Sequence, residues 1–188
     1  MTIVKGLVWI AAGLMTFTNE QAFAKATAPV NNEVCFSPHE NCDQKLLAFI
    51  ATAKSTIDIA IYNITLRDML TELDAARDRG VKIRIVCDRR EGERKTSLVD
   101  DIRRAGFNIR FGNVDGLMHN KFTIVDRDMV QTGSFNYTLA ASNRSAENQI
   151  YLTNEKVVSR FQKEFDELWS EGTPVPAGFV GTKEYEKE

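Results

Sequence analysis

The sequence predicts one α/β domain, helices layered on a mixed β-sheet, and two features carry that reading. Between Cys35 and Trp169, short runs of alternating apolar residues take turns with longer runs of helical period. Such alternation is how layered α/β domains are built. Midway, two β-prone runs, His119–Asp126 and Met129–Ser134, are separated only by a turn near Asp126-Arg127-Asp128, which makes them an antiparallel hairpin inside the sheet.

The elements follow in order. A short strand ends at Cys35. Asp43–Ser55 is a helix whose apolar face is Leu46, Leu47, Phe49 and Ile50. Thr56–Tyr62 is a strand, with Ile57, Ile59 and Ile61 alternating. Leu66–Arg79 is a helix stopped by Gly80. Val81–Cys87 is a strand, Glu93–Arg104 a helix stopped by Gly106, and Phe107–Phe111 a strand. The hairpin comes next, then a short helical turn near Tyr137–Ser142 and a strand from Glu147 to Leu152. The closing helix, Glu155–Trp169, turns Val157, Val158, Phe161, Phe165, Leu168 and Trp169 inward. The tail at 173–188, rich in Pro, Gly and charge, is expected to be loose. There is no internal repeat and no low-complexity tract.

Residues 1–24 have the form of an export signal. Lys5 supplies the positive start, Leu7–Phe17 a mostly apolar run, and Ala22-Phe23-Ala24 a small-x-small cleavage site before Lys25. The alternative is an uncleaved anchor, but the run is short of the ~20 residues that span a bilayer. Either way the expected location is periplasmic or secreted, with no stable membrane association of the mature form. Residues 25–32 form a flexible leader, and the domain proper occupies 33–172.

Charge excludes one easy reading. The formal net charge is −2, and removing 1–24 leaves it unchanged because Lys5 and Glu20 cancel. This is not the strongly basic footprint of many nucleic-acid binders, so attraction to phosphate has to come from local patches. The clearest is Arg89-Arg90-Glu91-Gly92-Glu93-Arg94-Lys95, after a strand end. Arg89, Arg90, Arg94 and Lys95 there either track a phosphate backbone or belong to a solvated loop. Arg103 and Arg104 read as a solvated helix face.

Cys35, Cys42 and Cys87 make an odd count. In an oxidising compartment Cys35 and Cys42 are expected to pair around Ser37-Pro38-His39-Glu40-Asn41. A zinc site from Cys35, His39 and Cys42 lacks a fourth ligand. Cys87 reads as a buried free thiol, and His39 as a surface loop residue.

The chemistry gathers around His119, one of two histidines in the chain. On a strand, side chains two apart share a face, so His119 and Lys121 point one way and Phe122 and Ile124 the other. An imidazole beside an ammonium on a packed backing suits attack on phosphate. Gly133 ends the next strand and lets backbone approach a ligand. Ser134 and Asn136 add neutral donors. Glu147 is a carboxylate placed to hold the imidazole in one tautomer. Asp126 sits at the far end of its strand from His119 and reads as structural. That separation also argues against a metal-dependent nuclease.

His119-x-Lys121-x4-Asp126, then Gly133-Ser134-x-Asn136, then Glu147 resembles the phospholipase D superfamily. Among its members it is most similar to the small single-motif endonucleases of bacteria, with 17 residues from His119 to Asn136 and 28 to Glu147. The likeness runs from about Val34 to Trp169. It implies the phospholipase D-like α-β-α sandwich with a central mixed β-sheet. It also implies a homodimer whose two copies of the motif meet on a two-fold axis, one His119 as nucleophile and the other as acid, with Lys121 and Asn136 holding the phosphate oxygens. By that resemblance the activity is metal-independent hydrolysis of DNA, with RNA also possible, without a cofactor. The alternatives are a lipid phosphodiesterase of the phospholipase D type and a catalytically idle nucleic-acid-binding module.

Overall fold

The computed structural model describes Ala28 and residues 31–184; the expected export signal lies outside these residues. Fourteen elements are found among them. They are β1 (Glu33–Ser37), α1 (Cys42–Ala51), β2 (Thr56–Ile61), α2 (Arg67–Asp78), β3 (Lys82–Cys87), α3 (Arg89–Gly92), α4 (Val99–Arg104), β4 (Asn108–Phe111), β5 (Lys121–Val125), β6 (Met129–Gly133), α5 (Leu139–Asn143), β7 (Glu147–Leu152), α6 (Glu155–Glu171) and β8 (Thr173–Pro174). The strands form one eight-stranded sheet in the order β1-β7-β6-β5-β2-β3-β4-β8. β2 runs parallel to β3, and β3 to β4; the other pairings are antiparallel. The sheet is therefore mixed, as expected.

The alternating side chains divide the core in two. Ile57, Ile59 and Ile61 of β2 and Ile83 and Ile85 of β3 pack with Leu46, Phe49 and Ile50 of α1, Met69 and Leu73 of α2, and Val99 and Ile102 of α4. On the opposite face Ala60, Val86, Phe122, Ile124 and Val130 meet Val158, Phe165 and Leu168 of α6, with Val157, Phe161 and Trp169 packed alongside. Helices thus cover both faces, which is the expected α-β-α sandwich. Under α6, buried Asp58 accepts two hydrogen bonds from Arg84, at 2.8 and 2.7 Å. Arg84 also donates to Asp166 at 2.8 Å and lies over the Phe165 ring. A charge inside the sandwich is thereby paired rather than stranded.

Cys35 and Cys42 are joined in a disulfide, and Cys87 is free and buried. His39 is exposed.

Five boundaries that matter to the site or the tail differ from the sequence reading, the first four because long-range bonds take backbone groups a local element would have used. The first helix ends at Ala51 rather than Ser55: the N–H groups of Lys54, Ser55 and Thr56 donate to the Asp126 carboxylate. The helix expected over Glu93–Arg104 is instead the single turn α3, an irregular stretch, and α4. Glu93 O accepts from Thr182 N and Lys183 N, and Lys95 N donates to Lys183 O. For the same reason the tail is not loose through Glu184. β8 pairs with β4, Val175 is buried, and Phe179 packs edge-on against Phe111. Nor is the leader wholly detached, since Asn32 N donates to Tyr151 O and Asn31 accepts from Thr153 N at 2.9 Å. Finally, β5 starts at Lys121, so His119 stands just before the strand, not on it.

Candidate active site

Strand direction brings the motif together. β5 and β7 begin, and β2, β3 and β6 end, at the same sheet edge, because Ile61 is paired with Lys121 and Gly133 with Gln149. Lys121 at the start of β5, Ser134 after β6 and Glu147 at the start of β7 therefore line one rim. Asp126 lies at the opposite edge, where its carboxylate accepts from the backbone of residues 54–56 and from the Ser55 hydroxyl. Burial pushes that carboxyl up, but these bonds outweigh it and hold Asp126 below the usual carboxylate range.

Lys121 is 8% exposed. Its ammonium donates to the His119 carbonyl oxygen at 2.8 Å and lies 3.2 Å from His119 Nδ1. Burial lowers the Lys121 pKa, partly offset by the charge of Glu147. The two carboxyl oxygens of Glu147 are not used on the imidazole. Glu147 Oε2 accepts a short hydrogen bond from the Ser134 hydroxyl, and among the described residues no hydrogen bond joins Glu147 to His119. Within one chain the Glu147 carboxylate is therefore taken by Ser134 and not by the imidazole. Ser134 is fixed in turn by Asn148, whose N–H donates to Ser134 Oγ at 3.1 Å and whose carbonyl accepts from Ser134 N at 3.1 Å. Glycine is required just before it. Gly133 has φ of +148°, and a Cβ there would meet Asn148 O at 2.1 Å.

Asn136 is placed by its neighbour. Tyr137 is fully buried, its hydroxyl 2.6 Å from Thr123 Oγ1 and donating to Gln131 Oε1 at 2.9 Å, and its carbonyl accepts from Thr65 N and Leu66 N. Burial raises the Tyr137 pKa. Asn136 Oδ1 is buried and has no hydrogen-bond partner among the described residues.

Several residues of the site escaped the sequence reading. The Tyr62 ring lies 4.4 Å from the His119 ring, centroid to centroid, and Lys121 Nζ is 5.1 Å from the Tyr62 centroid. The Glu91 carboxylate accepts from Tyr62 OH at 3.4 Å, from Asn63 Nδ2 at 2.8 Å and from Arg94 Nε at 2.8 Å. Burial, then the charges of Glu91 and Asp88, raise the Tyr62 pKa. Asp88 caps α3 by accepting from Glu91 N at 3.1 Å and, through its other oxygen, accepts from Met118 N at 3.0 Å. That second bond fixes the peptide next to His119. The available signal was the position of Tyr62 and Asp88 at the carboxyl ends of β2 and β3, where α/β sheets keep their sites.

The basic stretch is largely engaged within the chain. Arg94 serves Glu91, Lys95 pairs with Glu184 at 2.5 Å, and Arg89 lies over the Phe111 ring at 4.7 Å. Arg90 is exposed. Among the described residues no three His, Cys, Asp or Glu side chains are grouped to hold a metal ion, and no helix is long and apolar enough to cross a membrane.

The structure thus brings His119, Lys121, Ser134, Asn136 and Glu147 to one rim of a mixed-sheet sandwich, an arrangement that resembles the phospholipase D type. The family model for the phospholipase D-like domain of cardiolipin synthase matches residues 46–169, and the chain belongs to that superfamily. Within it, the chain falls with the single-domain, Nuc-like members. The crystal structure of Nuc from Salmonella typhimurium, a phospholipase D family member, superposes with a TM-score of 0.73 at 31% identity, covering 77% of this chain and 97% of that one. NucT from Helicobacter pylori has the same fold, at a TM-score of 0.72, 22% identity and coverage of 77% and 99%. The mitochondrial cardiolipin hydrolase of Chlamydomonas reinhardtii is 33% identical over 125 residues, 66% of this chain, which spans only 56% of that protein's length.

Proposed function

We propose that this phosphodiesterase is an exported, metal-independent endonuclease that cleaves DNA, and also RNA, at a site shared by two protomers. The observation that carries the reading is the pairing of His119 with Lys121 at the rim, with a phosphate-binding ammonium kept close to the imidazole by burial. In the first step a ring nitrogen of one His119 attacks phosphorus. An N–P bond forms, the P–O bond to the leaving oxygen breaks, and the partner protomer's His119 gives that oxygen its proton. In the second step the same partner imidazole takes a proton from water, the hydroxide attacks phosphorus, and the N–P bond breaks. Lys121 and Asn136 of both copies bind the non-bridging oxygens and stabilise the charge that builds on them, work a cation clamp does electrostatically.

A two-copy site also gives Glu147 and Ser134 a function. Their mutual hydrogen bond leaves a fixed negative charge on the rim, facing the imidazole supplied by the second protomer. Two-fold dimers are the commonest oligomers. The lipid reading keeps the same chemistry and differs only in what is attached to the phosphate; the name of the algal relative is its support. The test uses the mature protein with plasmid DNA, RNA, phosphatidylcholine and cardiolipin, each with and without EDTA. Nicking of DNA that persists in EDTA is expected. Loss of cleavage on chelation, restored by a divalent ion, would remove the metal-free mechanism, and turnover of lipid alone would remove the nuclease reading.

A further inference from the structure

Beside the catalytic rim lies a cleft of about 480 Å3. Its walls come from separate segments: Asn63 and Thr65 after β2, Thr96 before α4, and Thr138 and Leu139 where α5 begins. Asn136 and Glu147 close the end nearest the motif. No lysine or arginine lines it. Positive charge and room are therefore separated. A phosphate belongs over Lys121 and His119, whereas the cleft, apart from the Glu147 carboxylate at its motif end, offers hydroxyls, amides and a short apolar wall from Leu139, which is 60% exposed.

That lining suits an uncharged group with hydrogen-bonding edges and a flat apolar face. It does not suit an acyl chain, which would bury the threonine and asparagine groups without partners. The volume is in the range that takes a small molecule, roughly 300–1,000 Å3, and has room for one sugar and its base. We propose that the cleft is a nucleoside subsite, holding the sugar and base attached on one side of the scissile phosphodiester. The proposal rests on the nuclease reading and names the part of the substrate that reading leaves open. Hydrogen-bonding walls of this kind discriminate more strongly than apolar ones, because a substrate without the matching groups leaves them unpaired.

The test compares three esters with the same leaving group: thymidine 5′-(4-nitrophenyl) phosphate, thymidine 3′-(4-nitrophenyl) phosphate and methyl 4-nitrophenyl phosphate. Only the nucleoside differs. The wild-type protein is expected to prefer one thymidine ester over the methyl ester by about tenfold or more in kcat/KM. Thr96→Trp and Ala140→Trp place a bulky ring in the cleft from two exposed positions, and each should bring that ratio close to unity. Thr96→Val removes a hydroxyl at nearly constant shape and should lower the ratio several-fold; it decides the matter if the tryptophan variants are inactive on all three esters. A wild-type protein without preference, or a preference that survives the substitutions, would overturn the subsite. So would tryptophan variants that alter only the oligomeric state, which would make the cleft a contact between copies. Hydrolysis of the methyl ester with no cleavage of DNA would instead reject the nuclease reading itself.

Discussion

Asp126 belongs to the motif in sequence and to the fold in space, and replacing it should separate the two. Its carboxylate accepts from Lys54 N at 2.9 Å, Ser55 N at 2.7 Å, Ser55 Oγ at 2.8 Å and Thr56 N at 2.9 Å. These bonds hold the β5–β6 turn, where Asp126 and Arg127 both have positive φ, against the segment between α1 and β2. Hydrogen bonds to a charged group are worth about 1.5–3 kcal/mol each when buried. Most of these are solvent-exposed, so a screened value of about 0.5–1 kcal/mol per donor is appropriate, giving about 2–4 kcal/mol for the set. In a domain of this size 1 kcal/mol moves Tm by about 2–4 °C, so Asp126→Ala should melt roughly 5–15 °C lower at pH 7. The carboxyl lies below its ordinary value in the folded state, so its stabilisation is full above the unfolded value of about 4. It is lost as pH falls through the still lower folded value. The gap in Tm between wild type and Asp126→Ala should therefore close on acidification below about pH 4. Thermal melts by circular dichroism across pH measure this, alongside kcat at a temperature where both proteins are folded. An unchanged Tm, or a kcat that collapses in fully folded Asp126→Ala, would refute the assignment.

Three further outcomes are expected. Reduction, or Cys35→Ser with Cys42→Ser, frees a loop of seven residues' separation and should cost about 2–3 kcal/mol by chain entropy; an unchanged denaturation midpoint would count against this. Because burial lowers the Lys121 pKa, the alkaline limb of kcat/KM should fall below the ordinary lysine value of about 10.4. Lys121→Arg, which stays charged, should carry the limb upward, and a limb that stays put would assign it to another group. Tyr62→Phe keeps the ring against His119 and loses the bond to Glu91, so its kcat should stay within a few-fold of wild type. Tyr62→Ala should lose about tenfold or more in kcat, with KM little changed; equal rates for the two variants would show the ring contact to be idle.

The motif residues were legible because the hairpin and its neighbour are local in sequence. β5, β6 and β7 follow one another and pair in turn, so alternation and spacing alone place Lys121, Ser134 and Glu147 on one rim. What no local pattern carries is the insertion of β2 beside β5, in the register that joins Ile61 to Lys121. That pairing, across some sixty residues of chain, delivers Tyr62 to His119. The same holds for Glu91. In sequence it is one of six charges in the stretch Arg89–Lys95, yet it is 5% exposed and gathers Tyr62, Asn63 and Arg94. A buried carboxylate with three donors costs little, whereas the same residue without them would cost several kcal/mol. The basic stretch therefore reads differently once folded: Arg94 holds Glu91 in place, and Glu91 braces the Tyr62 ring against the proposed nucleophile. The tail contributes to the same brace, since Thr182 and Lys183 bind Glu93 at the end of α3. Within the basic stretch, Arg94 thus supports the site from behind through Glu91, while Arg89 packs on the Phe111 ring and Arg90 stays exposed.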